Sequence, residues 1–344
     1  ARRDGKAYGD WLRGRLTRLV RPVLAFALVW TALVAVLRLL GIDPAMVRAG
    51  SLAQPLWFLA VYIGVVALAP ALVRAQRRWG RAVPIALALS VAAVDVARWV
   101  FGVPLVGWVN FALVWLFAHQ LGVMWREGTV RAWSRGRAVA LAVAGLAGLV
   151  VLTQVLGYSV SMVGGVDEAR SNTFPPSLAL VFLAAWQFGA VLALRPAVDR
   201  WLARPRAWAA VVTANGLCMT LFLWHITAMA LVAVAVLPTG LLPQPAAGTA
   251  AWWALRPVWI VLSAIALVPL VLVFARVESR RTRPGTVPAP LAGIAALVLM
   301  VGMAVLARKG FVASGAVPIH VVATALLGAG WWMLRGRAPV AVSR

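Results

Sequence analysis

A chain of 344 residues that is 63% hydrophobic and 12% charged lies far outside the composition of soluble globular domains. Its formal charge of +24 would suggest nucleic acid in a soluble protein, but the basic residues fall in short stretches between apolar runs, where membrane topology accounts for them. Cys218 is the only cysteine and the three histidines are far apart, so neither a disulfide framework nor a local metal-ligand motif is present.

The chain opens with A-R-R-D-G-K and then crowds Arg13, Arg15, Arg18 and Arg21 into W-L-R-G-R-L-T-R-L-V-R-P. Arg15 and Arg18 are three residues apart, so on a helix they share one face. Guanidinium at the mouth of a membrane helix serves as a topology charge, a headgroup contact or a phosphate site. Apolar runs of about 20 residues follow from end to end, each able to cross roughly 30 Å of hydrocarbon as a helix. Ten spans are predicted, at 19–38, 54–73, 82–101, 106–125, 138–157, 175–194, 208–236, 253–275, 287–307 and 317–334. The expected fold is therefore all-α, a polytopic membrane helix bundle. A basic segment (1–18) precedes a single transmembrane domain (19–334), and a short tail (335–344) follows it.

Alternating the ten spans places 26 of the 33 basic residues on one side, in 1–21, 74–81, 126–137, 195–206, 276–283 and 335–344. Cytoplasmic loops retain positive charge, which predicts both termini, with Arg15 and Arg18, in the cytoplasm. Tryptophans such as Trp57, Trp108, Trp252 and Trp331 lie near span ends, as an interfacial aromatic belt requires.

Ionisable and polar groups inside hydrocarbon are costly and therefore mark candidate sites. Asp95 and Arg98, three apart, can pair on one face as a neutralised structural couple or as part of a site. Asn110, His119 and Gln120 follow on the next span, then Gln187, then Asn215, Thr220 and Leu223-Trp224-His225. His225 serves either as a base or as an interhelical hydrogen-bonding group. Sorted by expected depth, Arg15, Arg18, His119, Gln120, Gln187 and Asn215 form an inner group, and Tyr62, Asp95, Arg98, Asn110 and His225 an outer one. The polar connection 158–174, which contains Asn172, is placed to cover the outer group. Two polar vestibules, one per substrate, are one physical reading of this division.

P-L-W-F-L-A-V-Y at 55–62, the arginine pair ahead of an apolar helix, M-T-L-F-L-W-H-I-T-A at 219–228 and S-M-V-G-G-V-D-E-A-R-S-N-T-F-P-P at 161–176 resemble the membrane-bound acyltransferase type 3 family. The resemblance implies transfer of an acyl group, commonly acetyl, from cytoplasmic acyl-CoA to a hydroxyl of a glycan, lipid or other acceptor. It implies donor contacts from Arg15 and Arg18, no bound cofactor, and a bacterial plasma-membrane location with membrane lipids as neighbours. Tyr62, Arg98, Asn110 and Asn172 fall on the acceptor side.

The chain departs from the family at one point. The family's catalytic histidine lies on its first membrane helix, eleven residues after an arginine, whereas Trp108, Ala214 and Lys309 stand eleven before His119, His225 and His320. The simplest expectation is that the family's first two helices lie outside this sequence; the alternatives are that His225 or His119 has taken over, or that catalysis is lost. Among residues present, His225 is the preferred base, with Asp95 as its expected orienting partner and His119 as a second candidate. A transporter or lipid permease is the alternative function, although no inverted repeat supports it.

Overall fold

The computed structural model describes residues 7–47, 50–162, 171–279, 285–311 and 318–336. The first six residues, the motif core at 163–170, the basic stretch 280–284 and most of the tail therefore lie outside the described residues. Among the described residues eleven α-helices follow one another: α1 (Tyr8–Leu39), α2 (Leu56–Trp79), α3 (Ala82–Trp99), α4 (Asn110–Arg126), α5 (Arg135–Gln154), α6 (Leu178–Leu202), α7 (Pro205–Gly216), α8 (Cys218–Val236), α9 (Ala250–Ser279), α10 (Ala289–Lys309) and α11 (Ile319–Met333). Nine spans among the described residues are long and apolar enough to cross a bilayer, and α11 is apolar but shorter. The protein is an all-α, multi-pass membrane protein, as composition requires.

Two boundaries differ instructively from the sequence reading. Helix α1 begins at Tyr8, so the arginine cluster lies within the helix and each arginine has a fixed face. The span expected at 208–236 is broken at Leu217 into α7 and α8. Asn215-Gly216, two poor helix formers in succession, offers a weak point at which to divide it. The carboxylate of Glu278, near the end of α9, secures the new start: its oxygens accept from the Met219 and Thr220 amides at 3.2 and 2.9 Å and from the Thr220 hydroxyl at 2.6 Å. These are the orphan donors of a helix N-terminus, satisfied by an anion where the helix dipole favours one.

The helices form two compact units, one from Ala1–Gly64 with Ala209–Arg344, the other from Val65–Trp208. In the first, α1 packs against α8, α9, α10 and α11. Leu12, Leu16, Val20, Val23 and Phe26 form its buried stripe. Phe26 meets Trp224 and Phe311 edge-on, and the Trp30 indole N–H donates to the Thr227 hydroxyl at 3.2 Å. Gly9 permits the closest approach, because a Cβ there would lie 2.0 Å from the Val287 carbonyl oxygen. Beside it, Asp10 accepts from the Val287 amide at 2.9 Å.

Arg13 continues that contact. Only 6% exposed, it donates from Nε to the Leu334 carbonyl at 2.8 Å and from Nη2 to the Arg335 carbonyl at 3.0 Å. The guanidinium thereby satisfies carbonyls left open where α11 ends, and its charge suits the negative end of the helix dipole. Replacing Arg13 with methionine keeps the bulk and removes the donors. The expected cost is roughly 1.5–3 kcal/mol, read as a lower thermal midpoint in detergent.

In the second unit, α5 and α6 are joined through small residues. A Cβ on Gly145 would stand 2.5 Å from the Trp186 amide nitrogen, and one on Gly189 2.5 Å from that of Ala142. Membrane helices use this small-residue packing because lipid supplies no hydrophobic drive to hold helices together. Val91, Val114, Phe117, Leu121 and Val181 fill the space between α3, α4 and α6.

Candidate functional site

The arginine cluster is sorted by the face each residue occupies. Arg13 points into the protein, whereas Arg15 and Arg18 are exposed one turn apart. The Arg15 guanidinium lies over the Trp11 ring, 4.4 Å from its centre. Arg15 and Arg18 make no hydrogen bond or ion pair among the described residues, which leaves their donors available to an anion. Arg21 stands over Trp331 at 5.5 Å.

In the same unit, His225 lies on α8, about 10 Å along the helix from its start. Its Nδ1 is 2.7 Å from the Phe222 carbonyl oxygen. A carbonyl only accepts, so Nδ1 carries the hydrogen and Nε2 of the neutral ring keeps its lone pair. The backbone of α8 thus sets the tautomer that a general base needs. His225 borders a cavity of about 570 Å³ between α8 and α9, whose walls include Ile226, Met229, Ile260 and Leu267. Arg256, Trp259 and Ser263 are also among its lining residues. Arg256 donates from Nε to the Trp252 carbonyl at 3.2 Å and lies 4.0 Å from the centre of that ring. The Trp259 indole N–H is buried and has no hydrogen-bond partner among the described residues. Tyr62, also in this unit, is 45% exposed and stacks on Phe58.

The second unit holds a separate polar centre around Asp95, which is 2% exposed. One of its oxygens accepts from Asn110 Nδ2 at 2.9 Å; the other accepts from the Tyr158 hydroxyl at 3.0 Å and the Leu178 amide at 2.7 Å. These three donors, rather than Arg98, are its hydrogen-bond partners. Arg98 is instead placed over Trp99 at 5.1 Å, with Nη1 buried and unpartnered. The expected Asp95–Arg98 couple is therefore a neighbourhood of charge without a direct bridge. Asn172 organises the adjoining connection: its Nδ2 donates to the Ser159 and Ser161 carbonyls at 2.6 and 3.1 Å, and its Oδ1 accepts from Ser177 at 2.8 Å. Through Ser177 and Leu178 the connection is tied to the start of α6 and to Asp95.

His119 lies on α4 with Nδ1 buried and unpartnered. Its neighbour Gln120 donates to Gln76 Oε1 at 2.5 Å, and Gln76 Nε2 donates to the Thr129 hydroxyl at 3.3 Å. Gln187 and Asn215 are exposed. Asp95, Arg98, Asn110 and Asn172 thus share one unit, whereas Arg15, Arg18, Tyr62 and His225 belong to the other. Sequence reasoning overlooked Arg13 as an anchor, Glu278 as a cap and Trp259 as an unsatisfied donor. Each lies at helical spacing on a core- or cavity-facing stripe, which is a signal only once the face is known. Among the described residues, no group of His, Cys, Asp or Glu side chains is placed to hold a metal ion.

The fold and composition define a multi-pass helical membrane protein. The chain belongs to the membrane-bound acyltransferase type 3 family, whose acyltransferase domain it matches over residues 1–276. The protein is thus an integral membrane acyltransferase. No curated protein and no solved structure matches it.

Proposed function

We propose that this acyltransferase moves an acyl group, acetyl or longer, from acyl-CoA to a hydroxyl on a glycan, lipid or other membrane-associated acceptor. The observation that carries this reading is His225: its Nδ1 is committed to the Phe222 carbonyl, so Nε2 faces chemistry as an acceptor of protons. In the reaction, Nε2 takes the hydroxyl proton as the acceptor oxygen attacks the thioester carbonyl. The carbon–sulfur bond then breaks, and the imidazolium returns the proton to the departing thiolate. Asp95 and His119 are secondary candidates for proton handling, and Arg98, Asn110, Asn172 and Tyr62 for the acceptor side.

Arg15 and Arg18 suit the donor. CoA carries several phosphates, and guanidinium binds phosphate through paired, charge-assisted hydrogen bonds. In this reading the pair faces the cytoplasm, as the distribution of basic loops suggests, and the enzyme lies in the bacterial plasma membrane, with lipids around it and no cofactor bound. Changing both arginines to alanine is expected to weaken acyl-CoA binding by about a hundredfold, measured by equilibrium binding of labelled acyl-CoA to purified protein. Unchanged, saturable binding in the double variant would remove the pair from the donor site.

A further inference from the structure

The cavity beside His225 combines features that a donor thioester does not require. On α9, Arg256, Trp259 and Ser263 follow one another at helical spacing, one face of the helix turned toward the same space. Arg256 makes its single hydrogen bond through Nε, which leaves both terminal NH2 groups of the guanidinium without one among the described residues. The Trp259 N–H, on the same face, is buried and has no hydrogen-bond partner among the described residues. The remaining wall is largely apolar, and the most apolar stretch of α9 has none of its residues buried within the protein. That side of the cavity therefore fronts lipid. Arg256 lies about 9 Å from the start of α9, beside Trp252, at the depth where arginine and tryptophan meet headgroups. The volume of about 570 Å³ suits a headgroup rather than a whole lipid.

We propose that the α8–α9 cavity receives the headgroup of a glycerophospholipid that carries both an anionic phosphate and free hydroxyls, entering sideways from the bilayer, and that this lipid is the acyl acceptor. The assignment rests on the acyltransferase reading and names its acceptor. The phosphate pairs with the open NH2 groups of Arg256. Ser263 and His225 lie deeper along the same cavity, where a headgroup hydroxyl meets Nε2. That hydroxyl loses its proton to Nε2 and attacks the thioester carbonyl. The new ester bond forms as the carbon–sulfur bond breaks, and the thiolate leaves carrying the proton from His225. The acyl chains of the lipid remain outside, along α9.

The full chain in phosphatidylcholine nanodiscs doped with phosphatidylglycerol, or with phosphatidylserine as an anionic lipid lacking a headgroup hydroxyl, tests this directly. Native mass spectrometry reads lipid retention with no acyl-CoA present. Labelled acyl-CoA then reads transfer. Both anionic lipids are expected to be retained over phosphatidylcholine, and Arg256→Gln to lower that preference about tenfold. Phosphatidylglycerol alone should acquire label. Equal retention of all three lipids, or a preference that survives Arg256→Gln, overturns the proposal, as does retained phosphatidylglycerol that stays unlabelled while an added soluble alcohol is acylated. Failure of label to reach any acceptor counts instead against the acyltransferase reading, because retention is measured without the donor.

Discussion

Replacing His225 with alanine is expected to cut acyl transfer by roughly 10²–10⁴-fold while leaving acyl-CoA binding intact. The separation follows from the geometry. The imidazole borders the α8–α9 cavity, whereas the available arginines are Arg15 and Arg18 on α1. His225→Gln is the sharper version, since it keeps a polar side chain of similar reach but offers no basic nitrogen. Single-turnover transfer with preloaded acyl-CoA reads the chemical step, and equilibrium binding reads the donor site. A variant that transfers at the native rate would remove His225 from the mechanism. A variant that loses binding as well would mean that the ring shapes the fold of α8 rather than the chemistry.

Asp95 gives the second large effect, this time on stability. Its carboxylate takes three donors, from Asn110, Tyr158 and the Leu178 amide. Asp95→Leu would leave all three without an acceptor, at roughly 1–3 kcal/mol each. A loss of about 3 kcal/mol or more is expected, seen as a markedly lower thermal midpoint. Asp95→Asn should be far milder, for a specific reason. The substituted oxygen can keep Tyr158 and Leu178, and the substituted NH2 can donate to Asn110 Oδ1, which is buried and unpartnered in the native protein, once Asn110 rotates its amide. The two variants also separate structure from catalysis. If the charge of Asp95 serves proton transfer, Asp95→Asn loses rate without losing stability.

Much of the helical layout was legible because a bilayer leaves few alternatives. Most spans announced themselves through length and hydropathy. What could not be read was facing. Arg13, Arg15 and Arg18 look alike in sequence, yet Arg13 falls on the stripe of Gly9, Leu16 and Val20 and is buried, whereas its neighbours point away. Helical period alone assigns them to different faces but does not say which face meets protein. The break at Leu217 was hidden for a related reason: its stabilising partner, Glu278, lies 58 residues from Thr220. Likewise Asp95 and Arg98 satisfied the local spacing rule for an ion pair, but three partners brought by α4, the connection after α5, and α6 offered better hydrogen bonds.

The contact between Arg13 and the end of α11 also dictates an order of assembly. Its two partners are 321 residues apart, and ribosomes add roughly 5–20 residues each second, so α1 enters the membrane about 15–60 s before its last neighbour exists. The unit at 65–208 is continuous in the chain and can finish within that interval, whereas the unit containing α1 is split around it. Until α11 is made, the Arg13 guanidinium lacks the two carbonyls that it binds in the finished protein. A ribosome stalled before α11 should leave Arg13 open to a water-soluble guanidine-directed reagent that the finished protein excludes.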